Sequence, residues 1–116
     1  MRWLVPVLMF PAVAFADVPQ ILAVEAREGR FGWRFDVTVE HADTGWEHYV
    51  DGWTVHLPDG TMLGARDLLH PHVAEQPFTR SLFDVVIPEG TTEVILRAND
   101  NLHGQSAEFV YRLPGS

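Results

Sequence analysis

The sequence predicts an all-β protein, an antiparallel β-sandwich of about seven strands, immunoglobulin-like or fibronectin type III-like in architecture. Three observations point there. Apolar and polar residues alternate at period two through most of the chain. Turn chemistry recurs at short intervals, as in Pro58-Asp59-Gly60 and Pro88-Glu89-Gly90. No segment carries a useful length of helical periodicity, and Pro71 limits Arg66–Val73 to one helical turn at most.

The first sixteen residues read as a cleavable signal peptide. Arg2 precedes an apolar stretch, and Ala14-Phe15-Ala16 supplies the small-x-small site of signal peptidase. Cleavage leaves Asp17 at the new terminus and residues 17–116 as one domain, periplasmic or secreted. The apolar run is short for a spanning helix and is interrupted by Pro6 and Pro11, so no stable membrane anchor is expected. Cysteine is absent, which excludes both disulfides and a lipid-bearing cysteine after the cleavage site.

Strand A is expected at about Gln20–Ala26. Strand B, about Phe31–Glu40, is the clearest: Trp33, Phe35, Val37 and Val39 share one face, and Arg34, Asp36, Thr38 and Glu40 the other. Strand C, about Val50–Leu57, turns Trp53, Val55 and Leu57 inward, and C′ follows at Thr61–Arg66. Strand E spans about Phe78–Ile87. Strand F, about Glu93–Asn99, buries Val94, Leu96 and Ala98. Strand G, about Ala107–Leu113, alternates Phe109, Tyr111 and Leu113 with Glu108, Val110 and Arg112.

All eight basic residues are arginine. Without Arg2, seven arginines face sixteen acidic residues, a formal charge of −9. Such a surface repels nucleic acid and anionic lipid and favours cations.

The topology gathers the histidines. The B–C, C′–E and F–G connections meet at one pole of a sandwich and hold His41, His48, His70, His72 and His103, leaving His56 alone on strand C. Imidazole is a common ligand of Zn(II) and Cu(II), and Glu47, Asp51, Glu75 and Asp100 offer carboxylates nearby. The expected metal ligands are His70, His72 and His103 first, then His48, with Glu75 as the carboxylate and His41 ranked last. The pair His70 and His72 converges only if its loop is irregular, since residues i and i+2 of an extended segment point apart. The competing reading keeps these histidines structural and makes the loops a protein-interaction module, with Trp46, Tyr49 and Arg80 as anchors. Arg80 is otherwise expected to pair with a nearby carboxylate, and Trp46 and Tyr49 to cover the end of the core. No motif of an enzyme is recognisable, and catalysis is not the leading expectation.

Trp46-Glu47-His48-Tyr49, the run from His70-Pro71-His72 through Glu75-Gln76-Pro77-Phe78-Thr79-Arg80-Ser81, and Asp100 with His103-Gly104 together resemble a family of small exported bacterial proteins. Its pattern is W-x-H-Y, H-P-H-x-x-E-Q-P-F-T-R-S and D-x-x-H-G, and the likeness runs from about Trp46 to Leu113. The resemblance implies no known activity. It implies that the family's histidines fall here on His48, His70, His72 and His103.

Overall fold

The computed structural model describes residues 18–102 and 104–115. The expected signal peptide (1–16) and His103 lie outside the described residues. Eight strands form two antiparallel sheets that pack face to face as a β-sandwich, and no helix occurs among the described residues. The strands are β1 (Gln20–Glu28), β2 (Trp33–Glu40), β3 (Val50–His56), β4 (Met62–Asp67), β5 (Phe78–Val85), β6 (Glu93–Asp100), β7 (Gly104–Gln105) and β8 (Phe109–Arg112). One sheet runs β1-β2-β5. The other runs β4-β3-β6-β7, with β8 also pairing β6.

The core follows the alternation that predicts it. Phe35, Val37 and Val39 of β2 meet Val50, Trp53 and Val55 of β3 and Val94, Leu96 and Ala98 of β6, all fully buried. Trp33 is the exception in its row, only partly covered at the sheet's end. On β3 strict alternation fails once. The register shift at Val50/Gly52 puts Val50 and Trp53 on the same side, whereas His56 keeps the face of Thr54, two residues back, and is buried there. Gly52 is required at the bulge, because a Cβ there would lie 2.9 Å from the Arg66 carbonyl oxygen. His56 is satisfied locally: Thr54 Oγ1 lies 2.7 Å from its Nε2, and its Nδ1 lies 3.4 Å from the Gly60 carbonyl.

The expected strand G divides. Ser106 leaves the sheet, its hydroxyl accepting from the Ala98 amide at 3.0 Å and donating to the Ala107 carbonyl, so β7 and β8 pair β6 separately. Across the open side of the sandwich, the Ala26 amide donates to the Tyr111 hydroxyl at 3.1 Å. The connections β2–β3, β4–β5 and β6–β7 then meet at one pole, held by side chains that satisfy one another's backbones.

Candidate metal centre

The pole is organised around two buried carboxylates. Asp43, in the β2–β3 connection, accepts the Val50 amide on Oδ1 at 3.2 Å and the His72 amide on Oδ2 at 2.7 Å. Its Oδ1 also lies 2.7 Å from His41 Nδ1. Asp100, at the end of β6, accepts the Leu102 and Gly104 amides on Oδ1, at 2.9 and 3.1 Å. That is an Asx turn, which accounts for the Asp-Asn turn chemistry of this segment. Both side chains are fully shielded from solvent.

Asp100 Oδ2 faces two imidazoles. His48 Nε2 is 3.1 Å away and His41 Nε2 is 3.3 Å away. The two rings meet edge to face, with centroids 4.6 Å apart. The side chain of His41 is wholly buried and that of His48 is 14% exposed, so the cluster opens only on the His48 side. Donor atoms of His41, His48 and Asp100 all lie within 4.8 Å of one another, the one such group of three among the described residues.

The state of His41 follows from its partners. An ionised Asp43 only accepts, so His41 Nδ1 carries a proton and donates it. In the neutral ring the lone pair is then on Nε2. That atom is buried and makes no hydrogen bond, although it lies within ion-pair distance of Asp100. A cation between that electron pair and the carboxylate, whether a proton or a metal ion, would satisfy both. The arrangement also has the second shell of metal-bound histidines, whose other ring nitrogen donates to a carboxylate.

His70 and His72 form a different group. Their rings do converge, with centroids 4.7 Å apart, because the β4–β5 connection is irregular. His72, however, stacks flat on Phe78 at 3.9 Å, and its Nε2 accepts from Arg80 at 3.0 Å. Its pKa is held below the usual value, first by burial and then by the charges of Arg80 and His70. His70 Nδ1 donates to the Pro71 carbonyl at 3.1 Å. Glu75 pairs with Arg80 at 3.3 Å, the carboxylate partner expected for that arginine. Of the ligands expected from sequence, the structure brings His48 to the cluster with Asp100, and adds His41 from the bottom of the ranking. The signal for His41 was its spacing from Asp43, which orients one ring nitrogen and leaves the other available. Trp46 does not cover the core: it packs on Tyr49 and remains 65% exposed.

The chain is 45% identical over 74 residues to a protein of Halomicrobium mukohataei described as a "Putative lipoprotein". The match covers 64% of this chain and 36% of that protein, so the chain spans about a third of its relative's length. No family model matches the chain. No solved structure matches it.

Proposed function

We propose that this is an exported β-sandwich protein that binds a divalent transition metal, Zn(II) or Cu(II), through His41, His48 and Asp100. The observation that carries the reading is the buried Nε2 of His41, without a hydrogen bond and 3.3 Å from Asp100 Oδ2. Tetrahedral ligands of Zn(II) lie about 3.4 Å apart, given metal–ligand distances of about 2.0–2.2 Å. The spacings of 3.1 and 3.3 Å about Asp100 Oδ2 suit that geometry, while the donors of His41 and His48, within 4.8 Å of each other, would draw together on the ion. The donors, two imidazoles and a carboxylate, favour zinc or copper over magnesium or calcium, which prefer oxygen. Sequence offers a fourth donor in His103, between the two residues whose amides reach Asp100.

Export rests on the signal peptide read in residues 1–16, and kinship with the lipoprotein-like relative is consistent with it. Binding rather than catalysis suits a cluster whose ligands are almost sealed from solvent. A second reading, the interaction module, draws on apolar side chains exposed in the same connections: Trp46, Leu69, Val73 and Leu102 are each more than 60% exposed.

The test is a thermal melt of untagged protein, with and without zinc. Binding only the folded state at a hundredfold excess over the dissociation constant adds about 2.7 kcal/mol. For a domain of this size that raises Tm by about 10–20 °C. His48→Ala is expected to abolish the rise, whereas His56→Ala lowers Tm but keeps it. Equal responses in all three proteins, or none in the wild type, overturn the metal reading.

A further inference from the structure

Asp43 belongs to two structures at once. One oxygen orients His41, and the other holds the His72 amide at 2.7 Å, 29 residues further along the chain. Gln76 makes a second bridge between the same segments. Its Oε1 accepts from the His41 amide at 2.9 Å, and its Nε2 donates to the His72 carbonyl at 2.8 Å. The backbone of His72 is thus gripped on both sides by groups that also grip His41. The β4–β5 connection has no regular structure of its own between Leu68 and Pro77, and it carries the exposed Leu69 and Val73.

We infer that Asp43 is the positioning residue of the metal site, through which metal occupancy at His41 fixes the β4–β5 connection. The inference rests on the metal reading above. Its physical basis is the carboxylate's two oxygens. A metal on His41 Nε2 withdraws electron density from the ring and makes the Nδ1 proton a stronger donor, which tightens the bond to Asp43 Oδ1. A carboxylate held in that orientation keeps Oδ2 aimed at the His72 amide. By linkage the coupling is reciprocal, so an ordered connection also raises metal affinity. The consequence is that the exposed apolar residues of the connection are presented in one arrangement when metal is bound.

Amide hydrogen exchange on the untagged wild-type protein, with and without zinc, tests this directly. Zinc at a hundredfold excess over its dissociation constant is expected to slow exchange of the His72 amide by up to about a hundredfold, if opening of that bond releases the metal. Amides at the opposite pole, in the Pro58–Gly60 turn, should change far less. Calorimetry on the same sample separates the two claims. Failure of zinc to bind removes the metal reading. Binding without added protection at His72 leaves that reading standing and overturns the coupling. In Asp43→Asn one oxygen becomes a donor, which conflicts with either His41 Nδ1–H or the His72 amide. That variant should bind zinc about 10–100-fold more weakly, and saturating zinc should no longer protect His72. Undiminished affinity in a folded Asp43→Asn overturns the positioning role. The wild-type exchange experiment decides the coupling even if this variant does not fold.

Discussion

Mild acidification should destabilise this protein through His72. The ring is 4% exposed, stacks on Phe78 with an interplanar angle of 8° and accepts a hydrogen bond from Arg80. Burial, then the charge of Arg80, then that of His70 hold its pKa below the ordinary 6.5; Glu75 and Asp43 oppose the shift without cancelling it. An unfolded chain leaves the imidazole in water, so there it takes up a proton more readily than in the fold. The stability due to the neutral ring is therefore intact above pH 6.5 and is lost as pH falls from 6.5 through the folded-state pKa. In that window the slope is at most one proton, about 1.4 kcal/mol per pH unit.

His72→Gln removes the titration while keeping an acceptor for Arg80. It also forfeits the stack, worth about 0.5–1.5 kcal/mol, so the variant starts less stable at pH 8. Urea unfolding with a chelator present, from pH 8 to 5, is the assay. The wild type should lose stability more steeply than the variant below pH 6.5, and the two curves should converge. Parallel curves, or a wild type that gains on the variant as pH falls, refute the reasoning. Asp36 contributes in a separate window. Burial pushes its pKa up, but hydrogen bonds from Ser81 and Arg34 outweigh that and leave it lowered, so its stabilisation is lost only as pH falls below about 3.8.

Two further outcomes are expected. Gly32 has φ of +144°, and a Cβ there would lie 2.8 Å from the Asp84 carbonyl carbon, so Gly32→Ala should cost about 1–3 kcal/mol in chemical denaturation. A neutral effect would mean that this hairpin shifts freely against β5. Intact mass of the protein recovered from an exporting host should correspond to a chain beginning at Asp17. A mass that retains residues 1–16 removes the export proposal.

Alternation made the sandwich legible, because a half-buried strand must place apolar residues on one face. It placed Phe35, Val37 and Val39 correctly and failed where a bulge breaks the period, at Val50. The site was legible at the level of loops. Short connections decide which segments share a pole, and the histidine-bearing segments do meet. Which ring turns toward which was not legible, since it depends on side-chain bonds between residues far apart in sequence. Its loop's place at the pole makes His72 a candidate ligand, but Phe78 and Arg80 claim its face and its lone pair. His41 was ranked last, yet Asp43 and Asp100 enclose it.

A divalent metal is one way to balance the charge buried at this pole. Asp43 and Asp100 place two carboxylates out of water, each bonded to two backbone amides. Amides orient a carboxylate without neutralising it, and an uncompensated buried charge costs several kcal/mol. Protons on both His41 and His48 would balance the two anions as well, so the distinction lies in His41 Nε2, which makes no hydrogen bond. A divalent ion on a neutral His41 brings the same groups to zero while using the Nε2 lone pair that otherwise has no partner. His48 then fits as the ligand at the opening. Its Nε2 gives up its contact with Asp100 Oδ2 so that both atoms can bind the ion, and the neutral ring then keeps its proton on Nδ1. Zinc affinity measured by calorimetry should therefore fall sharply in His48→Ala. A structural network that binds zinc only at exposed carboxylates would keep its affinity in that variant.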